Sequence, residues 1–276
     1  MDNPLVTVPS NIPRVMGIVN VTPDSFFDGG RYSTFNQALS RIETCVAEGA
    51  SIIDIGGCSS RPGAEIIDEI EESARVIPVV RAAAKRFKCA ISVDTTNAQV
   101  AREALDAGAT WINDVSTGRF DSTLRNVVAV YDATIVLMHS RGTPATMQSL
   151  ADYNDVVTDS IAELTDLVKL FEADGVKPEK IVIDPGIGFA KTALDNIEIM
   201  TRLSEYRRMG FPVLLGTSRK SFLGTITEKP AEERLAASLA TVARGYGHGV
   251  AIFRVHDVGA TIDMLKVLAA TESTGA

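Results

Sequence analysis

Three cysteines, Cys45, Cys58 and Cys89, are the whole thiol content of this 276-residue chain. They form neither a C-x-x-C motif nor an obvious pairing, so a reducing compartment is expected. No apolar run reaches the ~18 residues of a membrane-spanning helix, and the opening MDNPLVTVPSNIPR lacks the charged start and apolar core of a secretion signal. The expectation is a cytoplasmic enzyme with no membrane partner. Basic charge is also in deficit. The net charge is −8, which argues against nucleic acid as a partner, because phosphate backbones select a basic face. An anionic substrate would then need a local basic cluster. There is no repeat of fixed period, no low-complexity tract and no linker. One domain over 1–276 is expected, with 1–13 an N-terminal extension and 271–276 a frayed tail.

What the chain does have is a series of apolar segments, each ending in a polar residue that an interior strand has no use for. Strand-like runs fall near 15–20, 51–56, 90–94, 110–114, 134–139, 180–184, 212–217 and 250–255, with the continuous apolar character of strands buried on both faces. VMGIVN closes on Asn20, SIIDIG carries Asp54, CAISVD closes on Asp94, and TWIND closes on Asn113 and Asp114. TIVLMH closes on His139 and KIVID on Asp184, while VLLGTSRK leads to Ser218, Arg219 and Lys220 and VAIFRVH to Arg254 and His256. Amphipathic helical stretches lie between them, for example 69–86, 97–107, 155–174 and 231–245. Gly49, Gly108, Gly175 and Gly210 sit just past helical runs, where C-terminal caps belong.

This alternation predicts an α/β chain folded as a single (β/α)8 TIM barrel, a fold of roughly 250 residues that carries its chemistry where strands end. A doubly wound open sheet would alternate in the same way. The count of eight and the spread of polar strand ends decide for the barrel.

Three connections are unlike ordinary turns. Residues 21–32 after the first strand and 56–65 after the second are rich in Gly, Pro, Ser and charge, as expected of long mobile βα loops that cover a site; solvated surface loops are the alternative. The third, GTSRKSFLG, follows the seventh strand. Loops 7 and 8 of such barrels commonly form an anion site, and here they supply Ser218, Arg219, Lys220, Arg254 and His256.

Taken in order and spacing, NVTPDSFFDGG, DIGG-x-SSRPGAE, SVDT, INDVS, VLMH, DPGIGFAKT, TSRKSFLG and RVHDV resemble dihydropteroate synthase. The resemblance runs from about Val15 to Asp257 and touches all eight strand ends. The sister family of methyltetrahydrofolate–corrinoid methyltransferases shares a pterin-binding barrel but is not expected to carry both SSRPGAE and SRKSFLG. The resemblance implies condensation of 6-hydroxymethyl-7,8-dihydropterin diphosphate with 4-aminobenzoate, assisted by Mg2+, and association as a homodimer. A non-catalytic pterin-binding homologue and the methyltransferase are the alternatives.

Residue by residue, the resemblance implies a pterin pocket of Asp94, Asn113, Asp184 and Lys220 with apolar walls from Met138, Val115 and Phe189. A carboxylate at Asp184 is the natural complement to the adjacent N–H donors of a pterin edge. Plain core packing is the alternative for Met138 and Val115, and a buried ion pair the alternative for Asp54. Arg254 and His256 match the family's diphosphate-binding pair, and Asn20 matches the residue that meets Mg2+ or the diphosphate. The 4-aminobenzoate site implied by the family comprises Ser60, Arg61, Pro62, Phe189, Lys220 and Ser221. Phe26 and Asp28 would close over it, with Lys220, Asp28 and Arg61 as the catalytic set. His139 and His248 read as structural histidines. One position departs: Cys58 stands where the family usually has Glu, and a neutral thiol cannot replace a carboxylate's charge or acceptor geometry.

Overall fold

The computed structural model describes residues 12–21, 30–58, 67–143 and 145–273. Eight parallel strands follow the expected segments: β1 Arg14–Asn20, β2 Ile52–Gly56, β3 Ala90–Asp94, β4 Trp111–Asp114, β5 Thr134–Met138, β6 Ile181–Asp184, β7 Leu214–Leu215 and β8 Ile252–Val255. Their order around the sheet is β6-β5-β4-β3-β2-β1-β8-β7. A parallel bridge between Ile183 and Val213 joins the two ends. The result is a barrel. Closure is thinnest at this seam, where β7 has two residues and not the 212–217 expected: Pro212 has no N–H for the ladder and contributes only its carbonyl, to the N–H of Ile183 at 3.0 Å.

The helices are α1 Gly30–Ala47, α2 Glu69–Arg86, α3 Ala98–Asp106, α4 Leu124–Val130, α5 Val156–Ala173, α6 Ala193–Thr201, α7 Leu203–Arg207, α8 Ser221–Thr227, α9 Leu235–Gly247 and α10 Val258–Ser273. Local chemistry sets their ends. Asp68, Asn97 and Asp155 accept backbone N–H bonds at the N-termini of α2, α3 and α5, and Thr192 with Asp195 forms a capping box on α6. All four glycines expected as C-terminal caps adopt positive φ, from 87° at Gly210 to 111° at Gly108. The stretch expected as a helix over 231–245 opens instead with a short 3-10 turn at Ala231–Glu233. None of the described helices is long and apolar enough to cross a membrane.

Two apolar layers result from the pleat. Side chains facing outward from the strands, such as Ile53, Ile55, Ile91, Ile112 and Ile135, are fully buried against the helices. Inward-facing Met16, Ile52, Trp111, Val136, Val182, Leu214 and Ile252 form a separate cluster filling the barrel. Each fully buried aliphatic side chain contributes about 1.5–3 kcal/mol relative to exposure. The interior is therefore sealed below, and the next inward positions along the same strands are the polar ends.

Candidate active site

Period-two alternation carries the inward face from Ile52 to Asp54 to Gly56 on β2, and from Ala90 to Ser92 to Asp94 on β3. The register pairs Asp54 with Ser92, Gly56 with Asp94, Asp94 with Asn113, Asn20 with Gly56, and Met138 with Asp184. Asn20, Asp94, Asn113, Met138 and Asp184 are thus assembled around one mouth of the barrel. Asp114, the other polar residue of β4, points the opposite way: it accepts from the N–H groups of Ser116 and Gly118 and from the Ser116 hydroxyl, shaping the turn after β4.

Arg254 crosses this mouth from β8. Its Nε donates to Asp54 Oδ2 at 2.6 Å and its Nη2 to Asp94 Oδ2 at 2.7 Å. The Ser92 hydroxyl donates to Asp54 Oδ1 at 2.6 Å and the Asn113 amide to Asp54 Oδ2 at 3.0 Å. Asp54 is therefore the buried ion pair weighed from the sequence, and its full set of bonds offsets its desolvation. Asp94 meets Arg254 through one oxygen. Burial raises the Asp94 pKa above the usual carboxylate range, and Arg254 pulls it part of the way back. Arg254, expected to serve a diphosphate, is thus also the counter-ion that makes two buried carboxylates tolerable.

Asp184 is held differently. Its Oδ1 accepts the Gly186 N–H at 2.7 Å, and among the described residues no Lys or Arg forms an ion pair with it. Gly186, at φ 70°, cannot be another residue: a Cβ there would lie 1.8 Å from the His139 carbonyl oxygen. Lys220 donates to the Ile187 carbonyl, and its Nζ sits 4.7 Å from the Phe189 ring centroid. Burial raises the Asp184 pKa, opposed by Lys220, the Gly186 N–H, Arg254 and Lys191. The same burial lowers Lys220 to about 8 against the pull of Asp184. A buried carboxylate thus lies in the field of three cations that do not occupy it.

Ser218 links loops 7 and 8, its hydroxyl 2.9 Å from His256 Nδ1 and accepting the His256 N–H at 3.2 Å. Arg41 of α1 donates to the His256 carbonyl. Arg219 pairs with Asp257 at 2.6 Å and turns away from the mouth. Met138 is buried, Val115 and Phe189 are half-buried, and Ser221 is exposed at the start of α8. Phe26, Asp28, Ser60, Arg61 and Pro62 lie outside the described residues. Cys58 is a packed thiol: burial, with the carboxylates of Glu72 and Asp94, pushes it up to about 12, so it is no nucleophile near neutral pH. His139 bonds on both ring nitrogens, to Glu163 and to Lys191.

Three participants in this arrangement had not been assigned to the site: Asp54, Ser92 and Lys191. The parity of the strand ends carries a signal for the first two, since each lies two residues before an inward strand-end position. Lys191 has none, because its burial depends on a turn and not on periodicity.

A family model described as pterin binding enzyme matches residues 16–256. The dihydropteroate synthase of Synechocystis sp. is 48% identical over 254 residues, covering 92% of this chain and 88% of that relative. The chain belongs to the dihydropteroate synthase family. Solved structures of the family agree in three dimensions. The Yersinia pestis dihydropteroate synthase in a sulfonamide drug complex has a TM-score of 0.90 at 38% identity, covering 99% of each chain. The Xanthomonas albilineans dihydropteroate synthase with 4-aminobenzoic acid has a TM-score of 0.90 at 39% identity, covering 95% of this chain and 94% of that one.

Proposed function

We infer that this chain condenses 6-hydroxymethyl-7,8-dihydropterin diphosphate with 4-aminobenzoate, giving 7,8-dihydropteroate and diphosphate, a step of folate synthesis. The observation that carries this, beside family membership, is the Asp184 carboxylate: buried at the barrel mouth and, among the described residues, held by a backbone N–H and by no ion pair. It accepts the paired N–H donors of the pterin edge. Asp94 and Asn113 meet the ring on the side of β3 and β4, Lys220 meets the opposite edge, and Met138, Val115 and Phe189 form the walls.

Bond breaking then needs little covalent help. The carbon–oxygen bond between the exocyclic methylene and the diphosphate breaks, with the electron pair leaving on diphosphate. The ring nitrogens share the resulting positive charge. The arylamine nitrogen forms the new bond at that carbon and loses one proton. Catalysis is by positioning and electrostatics. Arg254, His256 and Asn20 receive the diphosphate. Asn20 offers one neutral oxygen at the end of β1, which fits Mg2+, an ion that keeps most of its water and takes the rest of its ligands from phosphate. Bound there, the ion would neutralise charge on the leaving group. Ser60, Arg61, Pro62, Phe189, Lys220 and Ser221 take the 4-aminobenzoate, with Asp28 and Phe26 closing above and excluding competing water.

Incubating the protein with both substrates and Mg2+ tests this: diphosphate and dihydropteroate appear together, and binding without either product contradicts it. A reducing, cytoplasmic setting belongs to the same inference, supported by free thiols at Cys45, Cys58 and Cys89. So does a homodimer, supported by a groove between α6, α8 and α9 lined by exposed Ile197 and Ile226. Light scattering that finds a monomer at micromolar concentration contradicts that part.

A further inference from the structure

One cation of the barrel mouth forms no ion pair with a carboxylate among the described residues. Lys191 is 3% exposed, and among the described residues no carboxylate touches it. An ammonium in such a place has lost its hydration without gaining a counter-ion, and a neutral side chain would cost less to bury. Its Nζ lies 2.8 Å from His139 Nδ1 and 3.1 Å from the Phe189 carbonyl, with the His139 carbonyl at 3.5 Å. His139 Nε2 lies 3.0 Å from Glu163 Oε2. Burial and the charge of Lys191 push His139 down to about 4, so the ring is neutral. Nδ1 then accepts from Lys191 and the Nε2–H donates to Glu163. Although burial opposes its ionisation, Glu163 is held at about 2 by His139 and Arg141. The chain of bonds runs from a surface carboxylate on α5 to a buried amine.

That amine closes the turn carrying Phe189. Ala190 adopts φ 48°, a left-handed conformation that a residue with a Cβ takes only under constraint. Two side-chain donors, Lys191 to the Phe189 carbonyl and the Tyr153 hydroxyl to the Ala190 carbonyl at 2.8 Å, hold the turn beside the Phe189 N–H bond to the Gly186 carbonyl at 3.1 Å and the Gly188 N–H bond to Asn196 Oδ1 at 2.7 Å. The Phe189 ring lies over Lys220, and Ile187, on the same loop, accepts from Lys220. Moving the turn moves both.

We propose that Lys191 is a positioning residue of the condensation: seated on His139, its amine fixes the turn that holds Phe189 over Lys220, and its charge acts through space on the carboxylate of Asp184. The substrates named in the test rest on the function inferred above. Lys191 faces Asp184 on β6, Lys220 after β7, His139 and Arg141 after β5, and Glu163 on α5. Asp184 in turn faces Lys220, Arg254 and Lys191. Burial lowers Lys191 to about 7, so its charge is present on the acid side of neutrality, where it opposes the burial that raises the Asp184 carboxyl.

Lys191→Met keeps the length and removes the charge and the donors. Relative to wild type, its calorimetric affinity for dihydropterin diphosphate falls on the order of tenfold more at pH 6 than at pH 8. Titration of the diphosphate itself cancels in that ratio. Its kcat/KM for 4-aminobenzoate falls on the order of 10²-fold at both pH values, because the Phe189 turn is released. Should Lys191→Met fail to fold, Glu163→Gln on the more exposed side of α5 carries the test alone. Without the carboxylate the Lys191 charge is less supported, and the affinity ratio between pH 6 and pH 8 shifts the same way by a smaller factor. Losses equal at both pH values and for both substrates, or an unmoved ratio in Glu163→Gln, overturn the proposal. Wild-type binding of dihydropterin diphosphate in the same titrations judges the inferred function separately.

Discussion

The mouth of the barrel holds two carboxylate sites that solve burial in opposite ways. At the first, Asp54 and Asp94 share Arg254 through bonds of 2.6 and 2.7 Å, and Ser92 and Asn113 complete Asp54. At the second, Asp184 takes one backbone N–H, while Lys220 and Lys191 spend their own bonds on carbonyls and on His139. Pairing on both oxygens, as at Asp54, satisfies a carboxylate and removes it from use, whereas Asp94 meets Arg254 through one oxygen. Cations held nearby but bonded elsewhere oppose the burial that raises the carboxylate's pKa and do not occupy its oxygens. Asp54 builds the mouth and holds Arg254 and Asn113 in place there; Asp184 is the carboxylate placed to receive what enters it.

Arg254→Ala is expected to have the largest effect on stability, since it strands two carboxylates, Asp54 being fully buried. Breaking such a pair from one side costs about 3–5 kcal/mol, and denaturant unfolding measures it. Loss of affinity for the diphosphate-bearing substrate in this variant therefore needs His256→Ala beside it, which leaves the ion pair intact. At the second site, Lys220→Met removes a cation that Asp184 does not touch. Stability changes little, while kcat falls roughly 10²-fold; a variant that unfolds as readily as Arg254→Ala would erase the distinction between the sites. Ser92→Ala should cost about 1 kcal/mol in unfolding free energy, the size of one buried hydrogen bond.

The remaining effect is a pH dependence. His139 titrates near 6.5 when unfolded and is lowered to about 4 in the fold. Between these values the unfolded chain binds the extra proton, so the His139 contribution to stability is full above about 6.5 and declines as pH falls toward about 4. Unfolding midpoints measured from pH 7 to pH 4 should fall less steeply in His139→Gln; identical slopes would mean the ring is not buried neutral.

Much of this was legible in the residues. The strand boundaries, the inward polar ends and the capping glycines follow from local periodicity and backbone chemistry, and β2, β3 and α2 lie where the pattern places them. The pairing of Asp54 with Arg254 was open, because 200 residues separate them and only closure of the sheet brings them together. The Lys191–His139–Glu163 chain was not visible at all. A lysine after a loop reads as a surface charge unless the turn that buries it is known, and that turn rests on the positive φ of Ala190 and on Gly186 beneath the His139 carbonyl. His139 was read as structural and does make structural bonds, but to a buried amine beside the site.

Calorimetric titration of dihydropterin diphosphate into wild type and Asp184→Asn tests the central distinction most directly. The substitution keeps size and turns one acceptor oxygen into a donor that faces the pterin's own donors, at a cost of roughly 1–3 kcal/mol or more where charge is involved. An open receptor carboxylate requires at least a tenfold loss of affinity with an unchanged unfolding temperature. Unchanged affinity, or lost affinity only together with lost stability, would mean that Asp184 is one more structural carboxylate of the barrel.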